Sequence, residues 1–510
     1  MNKSFKKIIF FFFAVALVIP GWQCLKPNRP GIPPSVVQVL DQAGLNKPEL
    51  MKAIIRYEGN KDSLKRKALF CLLAQMNKNY TVYYSVQDSL GNHYHFNPEN
   101  YTNYLSLKHA WDSTEQVHGN LIYHADSFHV DAQTLSGNYL INNLDQAFLA
   151  YHTFPWSKAY HFQTFCRWIL PYRVANEQPE TFRQHFLKEY ALPPGFIAQK
   201  PPALDVALYL NKKINQKIDY KDTYNKKLNV QTISQLEKSG FGNFYDINIY
   251  KVKVLRSFGL AAAMDYSPFL ADTNFGYAYT TVILPDSNEL ILTYKHGVKK
   301  LHKPGRLAKL YRRTFFCDSS SLYTIKKIQT STPPFLGDFY YKDITSRLKS
   351  ANVWLRLNGN PKYAYLCVFN DGNWHPISWA IPEDSTVLFK RMGKQVVYLP
   401  VSYQHHVLMR QGLPFILNEQ GIKIPLKADF SIEQPARLLK TSPFSRLQPG
   451  HVYTLYIWDG NWVMLTGFTA GKNGFVMTLP AHGLYLITNN DINFNERIFV
   501  LDHNGHQKFY

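Results

Sequence analysis

The sequence predicts a multidomain α+β protein with a mainly helical N-terminal region, an α/β core and β-sandwich-like domains towards the C-terminus. Three patterns carry that prediction. Apolar residues recur at helical spacing from Val36 to about Met76. Helix and strand signals alternate between about Ala203 and Phe316, and beyond Pro333-Pro334 short strands are separated by Gly, Asn and Pro turns. The expected divisions are a signal peptide over 1–23, a helical domain over 24–200, a core over 201–320, a β-sandwich-like domain over 321–440 and a C-terminal β domain over 441–510. A chain of 510 residues exceeds what one hydrophobic core organises, and its 34 Tyr and 34 Phe supply the burial that a disordered chain lacks.

The first element is an export signal. Lys3, Lys6 and Lys7 form a basic start, and Ile8 to Ile19 form an apolar run too short to span a bilayer as a helix. Pro20 and Gly21 break it just before Cys24, the position at which bacterial lipoproteins are cleaved and acylated. Gln23 stands where a small residue normally precedes that cysteine, so ordinary cleavage nearby stays open as the alternative. The expected location is extracytoplasmic: a cell-envelope lipoprotein of the outer membrane or periplasm, otherwise a secreted protein.

Further along, Tyr80 to Val86 reads as a strand, and a second helical block starts near Ser136 and continues through Phe162 to Leu170. Ile247 to Phe258 reads as a helix closed by Gly259, followed by strands at Leu260–Met264, Ala278–Leu284 and Leu290–Leu292. One outline occurs twice, as Tyr365 to Trp374 and as Tyr453 to Trp462: an apolar strand, an Asp-Gly turn and a strand opening on Trp, the signature of a hairpin.

The net charge of +21 suggests attraction to lipid headgroups or acidic glycans. Its densest stretch, Lys295 to Arg313, lacks any nucleic-acid recognition module and is expected to be a solvated basic face, so no nucleic-acid partner is expected. Cys71, Cys166, Cys317 and Cys367 sit among apolar neighbours and read as buried thiols, although an oxidising compartment leaves pairing open. His93 and His95 have the spacing of a metal pair without an evident third ligand, and His405-His406 would point to opposite faces of a strand. Neither a metal nor a cofactor is expected.

The chain resembles a family of secreted bacterial proteins with a transglutaminase-like core, members of the papain-like thiol acyltransferase superfamily, and C-terminal β domains. The likeness runs from about Leu40 onward, through Phe165 to Arg173, Leu310 to Phe315, Tyr398 to Tyr403 and Asn495 to Phe499. Asp246, Arg256 to Ala261 and Asp265 to Pro268 fit the frame that follows the family's nucleophilic Cys. The resemblance implies that the Cys position is Phe244 and the His position Tyr277, in Gly276-Tyr277-Ala278-Tyr279. A phenyl ring cannot attack an acyl carbon, and a phenol titrates far above the range of a general base. The third position, normally a carboxylate on the next strand, finds none in Ile291 to Tyr294, and Asp286 reads as a turn residue.

The expected function is therefore that of a pseudoenzyme: a degenerate transglutaminase-like domain acting as a binding or structural module for glycan or peptide, with Tyr279, Trp374, Trp379, Trp458 and Trp462 as candidate stacking residues. The membrane would be reached through a lipid anchor at Cys24. The competing expectation is an active acyltransferase, amidase or peptidase using a displaced nucleophile.

Overall fold

A computed structural model describes residues 31–221, 230–292, 306–326, 331–438, 447–489 and 497–510. The export signal, Cys24 and Lys295 to Lys303 lie outside them. The chain is a mixed α+β protein. Its N-terminal part packs helices Pro34–Gln42, Lys47–Arg56, Ser63–Leu73 and Gly137–Thr153 around a common apolar cluster that includes Leu50, Leu72, Leu144 and Phe165. A three-stranded antiparallel sheet interrupts these helices, with Tyr80–Gln87 between His93–Tyr94 and Ile122–Val130. Ser136 caps the long helix by accepting from the Tyr139 N–H.

In the middle of the chain, helix Phe244–Ser257 packs on a five-stranded antiparallel sheet ordered Tyr341–Asp343, Tyr311–Arg313, Ala261–Ser267, Tyr277–Ile283 and Glu289–Leu292. Every residue of that helix from Asp246 to Ser257 is buried, as expected of a helix enclosed on all sides rather than laid on a surface. Gly259 adopts φ +67° just past its end, and a Cβ there would collide with the Ser157 side chain, so this turn requires glycine. The strand Ala261–Ser267 is buried on both faces. Ala262 and Met264 belong to the apolar cluster containing Val252 and Leu255, while Ala261 and Ala263 belong to that of the N-terminal helices.

From Ser350 onward the described regular elements are strands, all paired antiparallel. Asn373–Ala380, Ala364–Asn370, Val396–Gln404, Phe415–Leu417 and Lys423–Pro425 form one sheet in that order, and Val407–Arg410 pairs beside Val396–Gln404. Trp462–Thr469, Val452–Trp458, Tyr485–Thr488, Ile498–Leu501 and Gln507–Phe509 form another. Ser350–Arg356 pairs with Thr386–Gly393, and Asp429–Leu438 with Phe475–Ala481.

Strand pairing crosses both expected C-terminal boundaries. The core sheet takes its edge strand from Tyr341–Asp343, beyond 320, and Asp429–Leu438 pairs with a strand on the far side of 440. A single apolar cluster also runs from Val206 through Val254 and Tyr398 to Trp458 and Tyr510, so core and β region share an interior.

Buried arginines tie these layers together. Arg256 donates to the carbonyls of Trp168, Pro171, Arg173 and Ala262. Arg183 reaches Ile169, Leu170 and Arg256 carbonyls and the Asn143 side chain. Burial lowers both guanidinium pKa values to about 9, yet carbonyl oxygens surround their N–H groups. At the other end, Arg497 donates to Ala271, Thr273, Phe369 and Tyr510 carbonyls. The described end of the basic stretch corrects the expected solvated face. Lys309, Arg312 and Arg313 are buried and paired with Asp343, with Asp265 and Glu289, and with Asp338. Their counter-charges come from remote segments, which a local charge count does not see.

Candidate functional site

The N-terminus of the core helix starts from a capping box. The Asn243 side chain accepts from the Tyr245 and Asp246 N–H groups at 2.8 and 3.0 Å, and the Asp246 carboxylate accepts from the Asn243 N–H at 3.1 Å. Gln231 N–H donates to the same carboxylate at 3.0 Å. Asp246 is 2 % exposed, and burial outweighs these hydrogen bonds to raise its pKa to about 6. Its position in the family frame is thus filled by a helix cap.

Phe244, the first residue of the helix, meets Tyr220 and Tyr277. The Tyr220 and Phe244 rings stack with centroids 3.9 Å apart, and Phe244 and Tyr277 meet edge to face at 4.9 Å. All three are half-buried. Asn248, one turn into the helix, donates to the Phe244 and Ala278 carbonyls and accepts from the Thr280 hydroxyl, which fixes the helix start against the strand opening at Tyr277. Burial raises the Tyr277 and Tyr279 phenols above their ordinary value, so both stay protonated at neutral pH. Tyr279 is 3 % exposed beside Leu310 and Ile344, which makes it a packing residue, contrary to the expectation that it lines a binding cleft.

The third position does not acquire an acid among the described residues. Asp286 accepts from Asn288 within the turn, as its sequence suggests. Glu289 does open the next strand, but it pairs in register with Ile283, six residues from Tyr277, and is ion-paired with Arg312 and Arg347. Thr293 and Tyr294 lie outside the described residues.

No cysteine is in hydrogen-bond contact with an imidazole among the described residues, and Cys71, Cys166, Cys317 and Cys367 are free thiols. Cys71 is half-buried, as is Cys317, so neither matches the expected buried thiol. A hydrogen bond from Cys166 lowers the Cys71 pKa to about 7, while the same contact, with burial, raises that of Cys166. Cys367 is fully buried, which pushes its thiol up. Cys317 contacts the Thr324 hydroxyl at 3.3 Å.

Three of the four candidate tryptophans converge. Trp458 and Trp462 meet edge to face at 5.0 Å, Trp374 and Trp458 at 5.6 Å, and Phe369 packs against both Trp374 and Trp462. They join the two similar hairpins to each other, so these rings serve as packing between sheets rather than as an open sugar platform. Trp379 stands apart, half-buried, 6.4 Å from Tyr363. The hairpins differ at their tips. Asn370 pairs with Asn373 across a two-residue Asp371-Gly372 turn, whereas Trp458 pairs with Trp462 across three residues.

No group of three or more His, Cys, Asp or Glu side chains that could hold a metal occurs among the described residues. His405 and His406 are not strand residues with opposed side chains: they form the turn between Gln404 and Val407, at φ 47° and 65°. Among the described residues no helix is long and apolar enough to cross a membrane. The chain matches no protein-family model and no curated protein.

Proposed function

We propose that this chain is an exported, lipid-anchored protein whose middle region is a degenerate transglutaminase-like domain, preceded by a helical region, followed by β-sandwich-like domains, and acting as a binding or structural module for glycan or peptide. The observation that carries the non-catalytic reading is the contact of Phe244 with Tyr220 and Tyr277 at the start of the core helix. A nucleophile activated by a base is what covalent acyl transfer requires, and these three rings offer neither. In support of the frame, a helix opens at Phe244 and packs on an antiparallel sheet whose strand begins at Tyr277. The half-buried rings leave partial aromatic surface on which a sugar or peptide side chain can stack.

Purified protein incubated with amide and amine acyl-transfer substrates should give no turnover, before or after alkylation of its thiols. The same preparation on glycan and peptide arrays should retain a defined subset of ligands. Turnover abolished by alkylation would instead establish the displaced-nucleophile enzyme, with Cys71, whose pKa the Cys166 contact lowers, the first thiol to replace. Metabolic labelling with a fatty-acid analogue should mark the chain and fail for Cys24→Ser; equal labelling of the variant removes the anchor from the proposal.

A further inference from the structure

Beside the helix Leu322–Lys326, the strand Ala364–Asn370 and the His405-His406 turn, the surface sinks into a cavity of about 500 Å³. That is within the range of pockets that take small ligands. Among the described residues its lining contains two lysines, two histidines and three tyrosines, and no Asp or Glu. The Lys326 and Lys362 ammonium groups both approach one ring, lying 5.3 and 5.9 Å from the Tyr363 centroid. Neither has a carboxylate within ion-pair distance among the described residues, whereas the buried Lys253, Lys309, Arg312 and Arg313 are all paired. Lys326 donates only to the Ser331 carbonyl, at 2.8 Å. Burial, with the Lys362 charge adding to it, lowers its pKa. Two like charges have thus been brought to one ring without a counter-ion.

The wall adds a second imbalance. Tyr365 is 1 % exposed, and its hydroxyl has no hydrogen-bond partner among the described residues. Leaving such a group unsatisfied costs on the order of 1–3 kcal/mol. Next to it, 6.4 Å away between centroids, Tyr403 presents a half-buried ring, with its hydroxyl 3.5 Å from His406 Nδ1. Half-exposed aromatic faces, ammonium groups without a carboxylate partner and one spare hydroxyl in one concavity suit a ligand with an apolar ring face, a negative charge and hydroxyl groups. A bare phosphate would use the charges and leave the ring faces idle. No arginine fork or helix N-terminus lines the cavity to favour it.

We propose that this cavity binds a carboxylate-bearing saccharide, its pyranose ring against Tyr363 or Tyr403 and its carboxylate between Lys326 and Lys362. The site is separate from the Phe244 cluster and does not depend on how that cluster is read. The test is calorimetric titration of the full chain with a panel of uronate and sialyl oligosaccharides, with the methyl ester of each as its neutral counterpart, and with inorganic phosphate. At least one acid should bind with a Kd of about 10–500 µM and lose about tenfold or more as its ester. Lys362→Ala and Tyr363→Ala should each weaken it about fivefold or more, and high salt should weaken it further. Equal affinity for acid and ester, indifference to both cavity variants, phosphate binding as tightly as the saccharides, or no panel member binding below about 1 mM would each overturn the proposal. Loss of binding in Phe244→Ala with the cavity variants intact would move the glycan site to the helix start and overturn it likewise.

Discussion

At the start of the core helix the Tyr220, Phe244 and Tyr277 rings pack on one another above a capped and buried carboxylate. At the cavity, two ammonium groups approach the Tyr363 ring, and the Tyr365 hydroxyl is unsatisfied among the described residues. Both places are rich in aromatic side chains, but the carboxylate of the first accepts hydrogen bonds from the chain, whereas the two ammonium groups of the second have no carboxylate partner among the described residues. A site that balances its own charges and hydrogen bonds registers substitution as a change in stability; a site left with surplus positive charge registers it as a change in binding.

Four measurements press on that difference. Arg256→Ala should be the most damaging, destabilising the chain by about 3–5 kcal/mol in denaturant titration, because four carbonyls lose their donor at once. Asp246 should give a pH signature. Its folded pKa of about 6 stands above the unfolded value of 3.8, so the folded chain holds this proton more tightly. Its contribution is therefore fully present below pH 3.8 and is lost as pH rises through about 6, a swing of about 3 kcal/mol. Stability measured between pH 4 and 7 should accordingly fall more in the parent chain than in Asp246→Asn, and parallel curves would show that the acid is not held protonated by burial. Asn243→Ala should cost about 1 kcal/mol through loss of the cap, with no effect on glycan binding. Lys362→Ala should move stability by less than about 0.5 kcal/mol while weakening the acidic ligand; a larger loss of stability would mean that the cavity is internally balanced after all.

Local patterns made the core helix and its strands legible. The Ile247–Phe258 periodicity found the helix, which in the structure begins three residues earlier, at Phe244, because the Asn243–Asp246 box supports an extra turn without apolar spacing. Gly259 marked its end. What the sequence hid was set by distant partners. The strand Tyr341–Asp343 joins the core sheet through Tyr311–Arg313, and no local composition marks that pairing. Lys309, Arg312 and Arg313 looked like solvent-facing charge because their acids, Asp343, Asp265, Glu289 and Asp338, lie between 23 and 47 positions away. The cavity was missed for a related reason. Its lining comes from Lys326, Ser331, 361–365 and 402–406, and the conspicuous residues, His405 and His406, suggested metal rather than a turn. The repeated Asp-Gly-Asn-Trp motif did signal two hairpins, but their unequal tips depend on whether Asn370 or Trp458 closes the ladder.

The strand Ala261–Ser267 has a consequence for how such a chain is inherited. With alanines facing helices on one side and a helix and sheet on the other, both neighbours approach its backbone closely, and neither can be exchanged without opening a gap. Recombination that swapped the helical third or the β half as a cassette would leave bare apolar surface on this strand. Change in this lineage should therefore accumulate at loops and cavity rims, by point substitution, rather than by shuffling of parts.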